Sequence, residues 1–326
     1  MIIALTGISS GLGQALVPKL QNDPDVERII GIDVNAYPGN PDKITFVKAD
    51  VRDLAQMESA FENVDVLIHM AFIVIPEKLP PLETIYDINI NGSKTVFNAA
   101  ANKKIKKIIY LSSMVVYGHQ PESPEFVTED SPRLGVQTTN FYYSYSKGMV
   151  EQFLDQFEKD NPEIAIIRVR PPIIGRPDSI FNEFEAIRRG KSSSRTLFPL
   201  NHHGKKPMQL LHPDDLIDVL MMMLKKDVHG AYNVAGRPLA DLNAFFKKEC
   251  NHELKPRLHS VNNLILKLHK KYPQVGWIQA WKYSSLLNTD KVETEFDWKP
   301  KFTTEDIVKA ALVSALESRK RKKASI

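Results

Sequence analysis

Tyr143 and Lys147 stand four residues apart in the run Tyr142-Tyr143-Ser144-Tyr145-Ser146-Lys147. On a helix that spacing puts both side chains on one face, about a turn apart. A phenol titrates near ~10 in water, too high for a good base at neutral pH. A cation beside it stabilises the phenolate and lowers that value. The pair is therefore a ready acid/base device for moving a proton on or off a hydroxyl. Tyr117, Tyr142 and Tyr145 lack a lysine at that spacing.

The pair gains weight because the amino terminus has the pattern of a cofactor site. Residues 2–6 form an apolar run that reads as a buried strand. Thr6-Gly7-Ile8-Ser9-Ser10-Gly11-Leu12-Gly13 follows, and 14–20 has helical periodicity. A strand, a glycine-rich turn and a helix start form a phosphate site: Gly7, Ser10, Gly11, Leu12 and Gly13 let backbone N–H groups approach a pyrophosphate. A second strand at 28–32 ends in Asp33, twenty residues past Gly13. An acid there suits the ribose hydroxyls of NAD and repels the 2′-phosphate of NADP. The expected cofactor is NAD.

These residues must be positioned by a sheet. Strands are expected at 2–6, 28–33, 44–48, 65–71, 107–112 and 164–169, alternating with helices near 11–22, 53–62, 83–103 and 143–160. That alternation argues for an α/β fold, a doubly wound parallel sheet of Rossmann type with helices on both faces. After residue 170 prolines break the pattern; a helix at 213–226 and a strand at 231–235 return to the sheet. The expected division is a nucleotide-binding domain over 1–170 completed by parts of 208–238, and a smaller, mostly carboxy-terminal substrate lobe over 171–207 and 239–318. A basic tail occupies 319–326.

The chain has 326 residues, 43% hydrophobic and 25% charged, as in an ordinary globular protein. Its net charge of +4 resides in the tail, whose Arg319-Lys320-Arg321-Lys322-Lys323 alone carries +5. No nucleic-acid face is expected. The single cysteine, Cys250, excludes an internal disulfide and fits a reducing compartment. Met1 leads straight into the first strand, and the longest apolar run, 64–75, holds Asp65 and His69. A cytoplasmic protein without a membrane partner is the expectation. His202 and His203 lack a carboxylate or cysteine cluster beside them, so no metal is expected.

The chain resembles the extended branch of the short-chain dehydrogenase/reductase superfamily, the NAD-dependent epimerase/dehydratase group. Besides the glycine turn, Asp33 and the Tyr/Lys pair, the likeness rests on Asp50-Val51, His69-Met70-Ala71, Asn89-Ile90-Asn91-Gly92 and Ser112-Ser113-Met114-Val115-Val116-Tyr117-Gly118. It continues through Thr128-Glu129-Asp130, Arg170-Pro171-Pro172-Ile173-Ile174-Gly175, His212-Pro213-Asp214-Asp215-Leu216, Tyr232-Asn233-Val234-Ala235-Gly236 and Trp298-Lys299-Pro300.

The resemblance implies that Tyr143 is the general acid/base on a secondary alcohol or its ketone, and that Lys147 lowers its pKa and binds the nicotinamide ribose. Ser113, preferred over Ser112, would hold the substrate oxygen, and Asn89 would support the lysine or the cofactor through backbone and water. Asp50 and Val51 would lie against the adenine, Met70 and Ala71 would close over the cofactor, and Pro171 and Ile173 would flank the nicotinamide. Family habit implies a homodimer through the helices near 83–103 and 143–160, with Tyr86, Ile90, Val96, Met149, Phe153 and Phe157 as the apolar face.

Two departures bear on the substrate. Ser10 and Gly11 give the turn a spacing nearer the single-domain branch. Met208-Gln209 stands where nucleotide-sugar enzymes of the group carry Arg-Asp, and Pro171-Pro172 where they carry an asparagine. A diphosphate site without its arginine is weak; Arg188, Arg189, Arg195, Lys205 and Lys206 are the available substitutes. The apolar residues among 264–281, with Trp277 and Trp281, suit either the wall of an apolar pocket or a helix packed on the main lobe. The leading expectation is an NAD-dependent oxidoreductase or epimerase on a small-molecule alcohol. A nucleotide-sugar epimerase or dehydratase in the strict sense and a non-catalytic NAD(H) sensor or scaffold are the alternatives.

Overall fold

Alternating side chains set the two faces of the central sheet. In β1 (Ile2–Thr6), Ile3 and Leu5 enter one core cluster and Ala4 the other. In β4 (Val66–His69), Val66 and Ile68 point one way and Leu67 the opposite way. This is the two-residue period of a strand covered on both sides. The computed structural model describes residues 1–39, 42–74, 80–175, 207–250, 259–283 and 285–311. Seven parallel strands run in the order β10-β7-β5-β4-β1-β2-β3, with β2 at Arg28–Asp33, β3 at Ile44–Lys48, β5 at Lys107–Leu111, β7 at Ala165–Arg170 and β10 at Gly230–Asn233.

Leu16, Val17 and Leu20 of α1 (Gly11–Asn22) and the apolar face of α6 (Pro213–Lys225) cover one side. The other side receives α2 (Leu54–Ala60), α4 (Gly92–Asn102) and α5 (Tyr142–Asp160) through Met57, Val96, Phe97, Leu154 and Phe157. Val96 and Phe157 are thus spent on the chain's own core and are not part of a free dimer face.

The helix expected over 83–103 is present as one rod with a change of winding in it. Between α3 (Leu82–Tyr86) and α4 the residues Asp87–Asn91 widen into a π turn, in which the Gly92 N–H donates to the Asp87 carbonyl five residues back. The turn carries Asn89, whose side chain accepts from the Ile73 N–H at 2.7 Å and donates to the Ile73 carbonyl at 3.0 Å. Two short parallel pairs, β6 (Phe126–Val127) with β11 (Leu286–Leu287) and β8 (Ile173–Ile174) with β9 (Leu210–Leu211), lie outside the main sheet. The carboxy-terminal part adds α7 (Leu242–Cys250), α8 (His259–Leu266), α9 (Trp277–Lys282) and α10 (Asp290–Phe296).

Two buried polar networks lock the strand ends that carry the site. In the first, the Thr6 hydroxyl lies 2.7 Å from His69 Nδ1, and His69 Nε2 lies 3.0 Å from Ser93 Oγ. Ser93 spends its own proton on the Asn89 carbonyl at 2.6 Å. That order requires a proton on Nε2, and in the neutral ring Nδ1 then accepts from Thr6. Burial is the main cause that lowers the His69 pKa to about 3, helped by the Lys147 charge.

In the second network, Glu151 is fully buried on α5, one turn beyond Lys147. It accepts from Ser112 at 2.5 Å, from Arg170 Nε at 2.9 Å and Nη2 at 2.5 Å, and from Arg133 at 3.1 Å. Arg170 also donates to the Tyr117 hydroxyl at 2.9 Å, which in turn donates to Asn233 at 2.6 Å. Burial opposes the Glu151 charge, but the Arg170 charge and hydrogen bonds outweigh it, with Arg168 and Ser112 assisting, and hold the carboxyl at about 2.

Each network predicts a stability effect. The unfolded His69 takes up a proton below about pH 6.5 that the folded ring refuses until about pH 3. Its contribution is complete above the unfolded value and declines by about 1.4 kcal/mol per pH unit as pH falls through that window. Urea unfolding of His69→Gln across this range should show a slope shallower by that amount; an unchanged slope contradicts the assignment. Glu151→Gln leaves Arg170, whose side chain is 3% exposed, without its charge partner. A loss of about 3–5 kcal/mol in denaturant melts at neutral pH is expected; a loss within error would show that the pair bears little weight.

Candidate active site

The crevice for a dinucleotide opens where β1 lies between β4 and β2, since the chain leaves β1 toward one edge and reaches β4 on the other side. Gly7 has φ +78°, and a Cβ there would meet the Ala71 nitrogen at 2.8 Å. At Gly13 a Cβ would lie 2.5 Å from the Gly7 carbonyl oxygen. Both positions need glycine, the first for conformation and close approach, the second for approach alone.

Ser10 caps α1, its hydroxyl accepting from the Gly13 N–H at 3.0 Å. The amides of Gly11 and Leu12 open the helix, where no i−4 carbonyl within it can take them. They remain suited to a pyrophosphate despite the changed glycine spacing. Asp33 ends β2 with one carboxylate oxygen held by the Ser9 N–H at 3.1 Å and the other by the Asn35 N–H at 2.9 Å. Its charge is thereby fixed beside the turn. Asp50 is clasped by Arg52, which also reaches Asp87 at 2.9 Å, and Val51 is buried against Gly92. Met70 is buried, and the Ala71 N–H donates to Thr6 Oγ1 at 3.3 Å.

Tyr143 and Lys147 enter from the first two turns of α5, and both are buried. Lys147 Nζ donates to the Leu111 carbonyl at the end of β5, at 2.6 Å. It lies 3.7 Å from the centre of the Phe72 ring, 4.6 Å from that of Tyr110 and 6.0 Å from that of Tyr143. Ser113 begins the 3₁₀ turn Met114–Tyr117, with its hydroxyl donating to the Pro171 carbonyl at 3.4 Å. Ser112 is turned to Glu151 instead.

Ile173 lies in β8, paired with Leu210. Asn89 places its side-chain amide on the Ile73 backbone and so fixes the segment after β4. The lowered phenol pKa expected from Lys147 does not appear. Burial pushes Tyr143 up to about 12, and the nearby Ser113 hydroxyl draws it part of the way back. Burial likewise disfavours the Lys147 charge, with Glu151 as the compensating anion.

Aromatic rings close the site. Trp277 stacks on Tyr143 with centroids 5.6 Å apart and an interplanar angle of 22°, and meets Phe141 edge-on at 4.9 Å. Phe72 meets Tyr143 at 5.8 Å. Of the apolar residues expected among 264–281, Trp277 therefore walls the site, whereas Leu264, Leu268 and Tyr272 are exposed. His119 bonds the Tyr283 carbonyl at 2.6 Å.

Met208, at the position where the resemblance carries arginine, is buried with Leu242, Phe245 and Ile307. Arg188, Arg189, Arg195, His202, His203, Lys205 and Lys206 lie outside the described residues. Among those described, no cluster of metal-ligating side chains occurs, and no helix is long and apolar enough to cross a membrane. Phe72 and Glu151 escaped the sequence reading. Glu151 had a signal, a carboxylate four residues after Lys147 on the buried face of a helix.

The profile of the NAD dependent epimerase/dehydratase family matches residues 3–235. An N-acetyl-α-D-glucosaminyl-diphospho-ditrans,octacis-undecaprenol 4-epimerase of Escherichia coli O157:H7 is 24% identical over 277 residues, 83% of this chain and 76% of that one. UDP-glucuronic acid 4-epimerase from Bacillus cereus, solved with NAD, superposes with TM-score 0.67 at 19% identity, covering 97% of this chain and 99% of its own. dTDP-glucose 4,6-dehydratase from Bacillus anthracis, also with NAD, gives TM-score 0.70 at 19% identity and covers 98% of both chains. With its glycine turn, Asp33 and parallel sheet in family order, this chain belongs to the NAD dependent epimerase/dehydratase family and is an NAD-dependent enzyme.

Proposed function

We propose that the protein is an oxidoreductase or epimerase acting on a secondary alcohol, or the matching ketone, of a small molecule through Ser113, Tyr143 and Lys147. The observation that carries this reading is the meeting of those three side chains at the carboxyl ends of β5 and β7. NAD supplies the hydride acceptor and, when reduced, the donor. Gly7, Ser10, Gly11, Leu12 and Gly13 would hold its pyrophosphate and Asp33 its adenosine ribose. Asp50 and Val51 would flank the adenine, with Met70, Ala71, Pro171 and Ile173 on the nicotinamide side.

With its pKa up at about 12, Tyr143 keeps its proton at neutral pH and stands ready to protonate a carbonyl oxygen as that oxygen gains charge. For oxidation the same phenol must first pass its proton on, and the Lys147 ammonium favours the phenolate that results. Ser113 would donate to the substrate oxygen, a hydrogen bond that strengthens as charge builds there. The Trp277, Phe141 and Phe72 rings exclude water and favour a substrate with an apolar or planar portion next to the reacting carbon.

A nucleotide-sugar substrate is the second reading, supported by the UDP- and dTDP-sugar names of solved neighbours. The buried Met208 counts against it, because a diphosphate at that wall would find a thioether where a charged donor is needed. A parallel screen of UDP- and dTDP-sugars against apolar secondary alcohols, followed by cofactor absorbance and product stereochemistry, separates the two. Turnover of the sugar nucleotides alone would overturn the apolar reading.

Once a substrate is in hand, Tyr143→Phe should lower kcat by about 10²–10⁴-fold with NAD affinity within about twofold by calorimetry. A variant retaining wild-type rates removes the mechanism. Asp33→Ala should cut the preference for NAD over NADP by about tenfold or more, because the fixed carboxylate no longer repels a 2′-phosphate. Equal preference ratios in variant and wild type would show that Asp33 does not face the ribose.

A further inference from the structure

Few large apolar side chains of the described residues remain in water, and three of them follow one another along one stretch: Leu264 is 65% exposed, Leu268 49% and Tyr272 43%. α8 ends at Leu266, and hydrogen-bonded turns carry on, the Leu268 amide donating to the Ile265 carbonyl and the Tyr272 amide to the Leu268 carbonyl. The three side chains therefore recur about once per turn, while Leu266 is buried. Lys267, Lys270 and Lys271 are exposed among them. From His259 to Tyr283 the chain has four lysines and no aspartate or glutamate.

An exposed apolar stripe interleaved with lysines and free of acids has the composition of a helix that lies in a lipid–water interface. Lysine stems run along apolar surface while their ammonium groups reach anionic headgroups. A second copy is a poor match for this stretch, since a two-fold contact would set lysines against lysines. The stretch is also braced against the catalytic helix. A Cβ at Gly276 would lie 2.6 Å from the Asn140 carbonyl oxygen, and Trp277 follows directly onto Tyr143.

We propose that residues 264–272 form a docking surface for an anionic lipid bilayer, with Leu264, Leu268 and Tyr272 entering the interface and Lys267, Lys270 and Lys271 pairing with lipid phosphates. This departs from the expectation of no membrane partner, and it brings the aromatic roof of the site to the lipid surface. It is independent of which alcohol is turned over, because docking is read without catalysis.

The test is cosedimentation of the full-length protein with vesicles of phosphatidylcholine alone or mixed with phosphatidylserine. Binding to the mixed vesicles should be at least about tenfold tighter and should weaken with salt. Leu264→Ser/Leu268→Ser should lose about tenfold or more in that binding, with an unchanged thermal melt because both positions are exposed. Lys267→Gln/Lys270→Gln/Lys271→Gln should lose the preference for phosphatidylserine. No binding to the mixed vesicles overturns the proposal. Binding that the leucine variant leaves intact also overturns it and assigns the attraction to the basic stretch 319–323. A dimer by light scattering that the leucine variant dissolves, without lipid binding, gives the surface to a second copy.

Discussion

One buried carboxylate organises the site. Glu151 belongs to the helix that carries Tyr143 and Lys147, and its partners Ser112 and Arg170 stand immediately before Ser113 and Pro171. Through Arg170, Tyr117 and Asn233 the same network reaches the end of β10. Four segments that meet nowhere in sequence are thus held to a common origin. A well-packed apolar set could supply equal stability, since the desolvation of a buried ion pair consumes much of its attraction. Directional contacts add something apolar packing lacks: a helix held by charge-assisted hydrogen bonds has one rotation and one height relative to the strand ends.

The surroundings of the lysine follow from that arrangement. Phe72, Tyr110 and Tyr143 surround its ammonium, and the Leu111 carbonyl takes one of its protons. Ring faces offset part of the cost of removing water from a cation, and Glu151 supplies the nearby negative charge. The phenol has no such compensation beyond Ser113 and stays protonated. In the proposed mechanism an acid and a basic group therefore stand close together, and the direction in which the proton moves is set by what the substrate oxygen becomes.

Most of the sheet was legible because each strand is long enough to show its period and is bounded by a turn signal. The places of the glycine turn, Asp33, Tyr143 and Lys147 in the fold were legible for a related reason: each stands in a short, fixed spacing. Other features had no local trace. The pairs β6–β11 and β8–β9 are two residues long on each side, too short for any periodicity. Trp277 stands far from Tyr143 along the chain, and nothing around either residue encodes their contact. The bonds from Asn89 to the Ile73 backbone had no trace either, because an asparagine amide can serve any backbone within reach.

The π turn at Asp87–Asn91 has a geometric consequence for the rod that contains it. A bond to the fifth residue inserts one position, so the helical phase after the turn is offset by about 100° from the phase before it. Ile85 on the early side packs into the aromatic cluster around Tyr143, while Val96 and Phe97 on the late side pack onto the sheet. One continuous rod thereby serves two hydrophobic interiors whose repeats need not agree, and each interior is free to change its own side chains without re-indexing the other.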